Sequence, residues 1–337
     1  MFGEAQPRIS AALHRATVIK IKRGTSVEKV QNIVGAGKRV SLVLGSGGAR
    51  GLAHIGVIEE LEARGYTIEA IAGCSIGALV GGIYAVGKLK EYTEWAVQLE
   101  RSGVIGLLDL TGARGGFIAG KKIMRKLQEW IEDAVIEELP LKYTAVAVDI
   151  EREKEVWMSE GSLYDAIRAS IAIPGVFTPH KYRGRLLVDG GVLNPLPVAP
   201  TVNSLTDLTI VVDANGPPTN IVPMKEEREQ DENKIESNNE PGFFAKGLEQ
   251  LGLSTGHKPP GKNELDITEV LMRTVDTVQA AMTRQQLAVF HPDLVIRVPR
   301  NLCMMHEFHR ATEIIELGRG IAAELLDDPE LGRKQWL

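Results

Sequence analysis

IEAIAGCSIGALVGGIYAVG, residues 68–87, carries the reading on which the fold turns. IEAIAG has the length and composition of a short buried strand, and SIGALVGGIYAVG is apolar on every face, as a buried helix is. Between them lies Gly73-Cys74-Ser75-Ile76-Gly77, which fits G-x-S-x-G. That pattern makes a strained strand-to-helix turn whose glycines let the backbone pass closely enough to display a serine hydroxyl. Ser75 takes the apex, and Cys74 is expected to point aside and pack as a small hydrophobe. The helix N-terminus beneath Ser75 favours negative charge developing there. A membrane span competes with this reading, because Ala70 to Gly87 is eighteen residues without a charge. Gly73, Gly77, Gly81, Gly82 and Gly87 make a poor lipid-facing helix, and core is favoured.

Outward from this stretch, RVSLVL (39–44) reads as a strand stopped by glycines. LAHIGVIEELEARG then sets Leu52, Ile55, Ile58 and Leu61 on one helical face and ends at Gly65. Strand, helix, strand, helix is the pattern of a parallel sheet covered by helices. Further on, Lys121 to Glu132 is amphipathic, with Met124, Leu127, Trp130 and Ile131 inward. YTAVAVDI (143–150) and EVWMS (155–159) read as a strand pair, and LLVDGG (186–191) and LTIVVDAN (208–215) as further strands. From residue 217 to 264 the chain turns polar, charged and rich in Pro and Gly, the composition of a mobile insertion. Beyond it Ile267, Val270, Leu271, Val275, Val278 and Met282 form a helical stripe, DLVIRVP (293–299) a strand and Ala311 to Leu326 a last helix. The expected organisation is therefore a basic extension (1–38) and one large α/β domain (39–326). The core of that domain is 39–215 and 265–326, its insertion 217–264, and a tail (327–337) follows.

At 337 residues, 44% hydrophobic and 25% charged, the composition is that of a soluble globular chain able to bury a core. A net charge of −5 gives no global basic field for nucleic acid. Residues 1–39 are locally basic, with eight Lys or Arg against Glu4 and Glu28, and suit peripheral contact with an anionic lipid surface. Two cysteines, Cys74 and Cys303, make no disulfide framework and fit a reducing compartment. No secretion signal is read at the N-terminus, so the expected location is cytoplasmic. Oligomeric state is not legible.

A second glycine turn, GSGGARG (Gly45–Gly51), follows the first strand. It lacks the Gly-Lys-Ser/Thr of a phosphate-binding loop, and Arg50 breaks G-x-G-x-x-G. It suits an oxyanion hole instead, offering successive backbone N–H groups beside a nucleophile on the neighbouring strand. Arg50 has two open readings, a phosphate ligand or an anchor for a nearby carbonyl. Asp189-Gly190-Gly191, at a strand end, supplies a candidate general base. Cys303, His306 and His309 are spaced C-x2-H-x2-H without a fourth ligand, so no metal site is assigned.

GSGGARG, GCSIG and VDGGVLNPLPV (188–198), in this order, resemble the motifs of the patatin-like phospholipases, and of the bacterial patatin-like hydrolases in particular. RASIAIPGVFTP (168–179), HPDLVIRVP and ATEIIELGRGIA are similar to other segments of that family. The resemblance implies a three-layer α/β/α fold with a mainly parallel central sheet, and hydrolysis of acyl esters of lipids by a serine–aspartate dyad without a cofactor. Carried over by position, Ser75 is the nucleophile, Asp189 the base, and the backbone of Gly47, Gly48 and Arg50 the oxyanion hole. Gly45, Gly51, Gly73, Gly77, Gly190 and Gly191 support the motifs. Two positions depart from the family's pattern: Ser46 stands where many members have glycine, and Gly191 where many have alanine. Two alternatives stay open. A Ser-His-acid hydrolase would recruit one of His257, His291, His306 or His309, and a silent lipid-binding scaffold would keep the fold without turnover.

Overall fold

The computed structural model describes residues 37–100, 121–219 and 267–327. The expected extension (1–38, apart from its last two residues), most of the insertion and all but the first residue of the tail lie outside the described residues. Eight strands form one sheet in the order β5-β6-β3-β2-β1-β7-β8, with β4 also paired to β3. The strands are β1 (Arg39–Leu44), β2 (Thr67–Cys74), β3 (Lys142–Asp149), β4 (Lys154–Met158), β5 (His180–Tyr182), β6 (Arg185–Asp189), β7 (Leu208–Gly216) and β8 (Leu294–Pro299). β3-β2-β1-β7-β8 run parallel, and β4, β5 and β6 add antiparallel pairings beyond β3.

The sheet is buried on both faces because its central strands alternate two apolar sets. Leu42, Leu44, Ile210, Val212 and Ile296 pack into one large core. That core takes in α1 (Ala53–Ala63), α2 (Ile76–Ala85), α5 (Leu163–Ser170) and α7 (Ala311–Asp327). Val43, Val211 and Val295 face the other way, onto Leu196, Val198 and Leu287 of α6 (Ile267–Phe290). Helices on both faces make three layers. Two further helices, α3 (Leu89–Val97) and α4 (Lys121–Ile131), lie between β2 and β3 in the chain. Met124, Leu127 and Ile131 of α4 are buried as expected, and Trp130 stacks edge-on against Tyr92 of α3.

The uncharged run Ala70–Gly87 is core, as favoured: it is divided between β2 and α2, and among the described residues no helix is long and apolar enough to cross a membrane. The β5–β6 hairpin puts Asp189 on a strand antiparallel to β3. The valine stripe of α6 does not face the core: Val270, Val275 and Val278 are 45%, 45% and 44% exposed, whereas Ala280, Thr283 and Leu287 are buried.

One feature of β3 positions the site. Ala145 and Val146 pair with Gly73 and Cys74 of β2 on one edge and with Met158 and Trp157 of β4 on the other. Ala147, Val148 and Asp149 keep β4, but their second partners are Asp189, Val188 and Leu187 of β6. A strand residue has only two edges. β2 and β6 therefore share one edge of β3 and meet tip to tip between Val146 and Ala147.

α1 and α7 cross at backbone contact. A Cβ on Gly56 would lie 2.0 Å from the Ile315 carbonyl oxygen, and one on Gly318 would lie 2.3 Å from that of Ala53. One Cβ on Gly320 of the same helix would meet nothing within 4 Å. Gly318→Ala is expected to destabilise by about 1–3 kcal/mol through overpacking. Gly320→Ala should gain up to about 1 kcal/mol from helix propensity. Urea denaturation midpoints of the two variants check this opposite sign.

Candidate active site

The turn between β2 and α2 holds Ser75 at φ 56° and ψ −124°, a left-handed conformation that a serine adopts only under constraint. The constraint is visible. The Ser75 N–H donates to Ser170 Oγ at 2.9 Å, and Ser170 Oγ donates to the Val146 carbonyl at 2.6 Å. Beneath the turn, a Cβ on Gly77 would lie 2.1 Å from the Leu44 carbonyl oxygen, so only glycine lets α2 begin this close to β1. Gly73 is also tight: a Cβ there would lie 2.6 Å from the Ala78 backbone.

Asp189 arrives at the same point at the end of β6. Its Oδ1 accepts the Gly191 N–H at 2.7 Å and lies 3.8 Å from the Cys74 thiol. Its Oδ2 is buried without a hydrogen-bond partner. Burial pushes the carboxyl up to about 6, opposed first by the Ser75 hydroxyl, then by the Gly191 N–H and the Cys74 thiol. No bond of ordinary length joins Ser75 to Asp189, but the hydroxyl is near enough to exert that influence, and such contacts tighten when substrate enters. Gly190 leaves this approach open, since its Cβ would lie 2.2 Å from the Val146 carbonyl oxygen. Cys74 is fully buried, and burial together with the Asp189 charge raises its thiol well above the ordinary range. It stays a protonated thiol, packed as the sequence suggests.

The glycine loop after β1 lies beside β7 and the start of α2. The N–H groups of Gly45, Ser46 and Ala49 donate to the carbonyls of Val212, Pro195 and Met305. None of these bonds uses the N–H of Gly47 or Gly48. Gly48 has φ 57°, and a Cβ there would lie 2.5 Å from the Met305 carbonyl oxygen. Gly45 and Gly51 are closely packed, against Leu196 and Ile76. His54, fully buried in α1, makes a 2.9 Å bond from Nε2 to the Gly45 carbonyl, and burial lowers its pKa to about 4. The ring is thus neutral near pH 7, and Nε2 is the donor.

Arg50 takes the anchoring reading. It is 4% exposed, with Nε donating to the Gly47 carbonyl at 3.3 Å, Nη1 to the Arg300 carbonyl at 2.9 Å and Nη2 to Asn215 Oδ1 at 2.6 Å. A guanidinium this buried, with each of its three nitrogens bonded to a protein acceptor, is an anchor rather than an open phosphate ligand.

Ser75, Asp189 and the glycine loop thus converge. Three partners escaped the sequence reading: Ser170, Asn215 and Gln279. Ser170 lies in RASIAIPG, which the family resemblance had already marked, whereas nothing local signals the other two. Among the described residues no hydrogen bond joins a histidine to Ser75 or Asp189, and His180 bonds Asp165 at 2.9 Å. Cys303 is buried in the main core, and among the described residues no three His, Cys, Asp or Glu side chains are placed to hold a metal ion.

The profile of the patatin-like phospholipases matches residues 42–202. An NTE family protein of Mycobacterium tuberculosis, itself called uncharacterized, is 39% identical over 87% of this chain and 92% of its own length. Patatin-like phospholipase domain-containing protein 6 of Mus musculus is 35% identical over 52% of this chain, but over only 14% of its own. Lysophospholipase NTE1 of Coccidioides immitis is 28% identical over 86% of this chain and 18% of its own. With a relative this similar along nearly its whole length, and with the three motifs folded into one site, the chain belongs to the patatin-like phospholipase family and is by class a lipid ester hydrolase.

Proposed function

We propose that this chain cleaves acyl esters of phospholipids or lysophospholipids with a Ser75–Asp189 dyad and an oxyanion hole built on Gly47 and Gly48. The observation that carries this reading is a buried aspartate, poised near 6 with one oxygen unpartnered, at the strand tip that meets a strained serine. Relatives named lysophospholipase support the substrate class.

In the acylation step Ser75 Oγ attacks the ester carbonyl carbon and its proton passes to Asp189 Oδ2. The N–H groups of Gly47 and Gly48 hold the tetrahedral oxyanion, aided by the N-terminus of α2. Collapse breaks the bond to the alcohol, which leaves with the proton from Asp189. Water then attacks the acyl-serine, Asp189 takes its proton, and collapse releases the fatty acid and returns the proton to Ser75. A base near 6 is ionised at neutral pH yet far stronger than an exposed carboxylate. Arg50 contributes by holding the Gly47 carbonyl, which aims the neighbouring N–H groups.

A fluorophosphonate probe is expected to label Ser75 in the wild type and in Cys74→Ala, and to leave Ser75→Ala unlabelled. Turnover of a short-chain p-nitrophenyl ester should vanish in Ser75→Ala and fall by roughly 10³-fold in Asp189→Asn. Single replacements of His54, His180, His257, His291, His306 and His309 should stay within about tenfold of wild type. A folded histidine variant as inactive as Ser75→Ala would establish a triad, and wild-type protein without turnover would establish a scaffold.

The same burial predicts a stability effect of opposite sign to the activity effect. Raised to about 6, the Asp189 carboxyl binds its proton more tightly in the native state than unfolded. Its contribution therefore falls as pH rises from about 4 to about 6, by about 3 kcal/mol at most. Asp189→Asn should melt higher than wild type at pH 7–8, with the gain shrinking towards pH 4. Thermal melts across that range check it.

A further inference from the structure

α6 meets the site with its polar side. Asp276, Gln279 and Thr283, spaced for one helical face, turn towards the protein, whereas Val270, Val275 and Val278 are left 44–45% exposed. A helix set only by apolar burial would turn the valines inward. What it gains instead is a set of bonds made by one amide. Gln279 Nε2 donates to the Gly191 carbonyl at 3.1 Å. Gln279 Oε1 accepts from Asn215 Nδ2 at 3.3 Å and from the Ser46 hydroxyl at 3.4 Å. Asn215 Nδ2 also reaches the Ser46 carbonyl at 3.1 Å, and Asn215 Oδ1 accepts from Arg50 at 2.6 Å. Beyond Arg50, Asp276 of α6 lies 3.8 Å from the guanidinium.

We propose that Gln279 is a positioning residue whose amide ties the turn carrying Asp189 to the glycine loop of the oxyanion hole, and so sets the distance between them. The residue type follows from the chemistry. The bridge needs a donor towards a carbonyl and an acceptor for two donors at the end of one side chain, which an amide supplies and a carboxylate or a thioether does not. The room for it comes from Gly191, where a Cβ would lie 2.8 Å from Gln279 Nε2 and 3.1 Å from Asp189 Oδ1. Ser46 and Gly191, the two departures from the family's pattern, are thus both partners of Gln279. The effect on chemistry is indirect. Gly191 holds Asp189 through its N–H, and Gln279 holds Gly191 through its carbonyl, so losing the amide frees the base and the oxyanion donors to drift apart.

This inference rests on Asp189 being the base and the glycine loop holding the oxyanion. The test compares Gln279→Met, Gly191→Ala, Gln279→Ala and the double variant Gly191→Ala/Gln279→Ala with Asp189→Asn, on a soluble ester across pH and with melting curves. Gln279→Met keeps the volume and removes the bonds. It should lower kcat about 10- to 100-fold, the scale of a misplaced catalytic group, with KM within about threefold. Its acid limb should move to higher pH, because a loosened Gly191 N–H supports the carboxylate less. Gly191→Ala should also lower kcat, and the double variant should lose less than the product of the two single effects, because both changes break the contact between Gly191 and Gln279. Gln279→Met with wild-type kcat and acid limb, or strictly multiplicative effects in the double variant, would overturn the proposal while Asp189→Asn stays inactive. An active Asp189→Asn would instead overturn the dyad on which it rests.

Discussion

The edge of β3 changes partner between Val146 and Ala147, and the site is a consequence of that change. Along most of the strand β2 runs parallel beside it; past Val146 the same edge is taken by β6 coming from the opposite direction. Two strands cannot meet head to head without leaving a backbone group unpaired at the junction, and an unpaired buried carbonyl is costly. Ser170 resolves this by donating to the Val146 carbonyl, and the same oxygen then accepts the N–H of Ser75. One hydroxyl thus closes the ladder and pins the strained residue. The strain at Ser75 is held by the glycine packing and the sheet junction around it.

The electrostatics follow from the same junction. A strand tip meeting another strand tip is dry, so a carboxylate there has its pKa raised, and its partners are limited to what the junction offers: one N–H, one thiol and the serine. The thiol explains how cysteine and serine stand side by side without competing. Cys74 lies towards Asp189 Oδ1 and is held protonated, while Ser75 takes the strained φ at the apex of the turn. His54 has an analogous place beneath the glycine loop, neutral and donating to Gly45, a scaffold role rather than a proton carrier.

How much of this was legible depends on how local each signal is. β1, β2, the elbow and α2 could be read because residues 39–87 alternate glycine turns with uniformly apolar segments, and each feature is complete within about ten residues. The same locality decides the uncharged run from Ala70 to Gly87, whose length would allow a span but whose five glycines and elbow serine favour core. The β5–β6 hairpin and its antiparallel pairing with β3 are not legible in the sequence, because pairing direction is a property of two distant segments. The two readings of Arg50 stay open in the sequence for a related reason: its acceptors on Asn215 and Arg300 lie far along the chain. Gln279 illustrates the limit most clearly. The valines of α6 gave the stronger periodic signal, and the helix nonetheless turned by its polar contacts, which exist only once β7, the glycine loop and the Asp189 turn are assembled.

A single buried carboxylate doing the work of a histidine is the centre of this reading, and infrared difference spectroscopy during a pH titration observes it directly. Wild-type protein should show a protonated carboxyl band that disappears with a midpoint near 6 and coincides with the acid limb of kcat/KM. Asp189→Asn should lack that band. Carboxyl bands that all titrate below about 5, the ordinary range for such groups, or a titration near 6 left unchanged by Asp189→Asn, would contradict it.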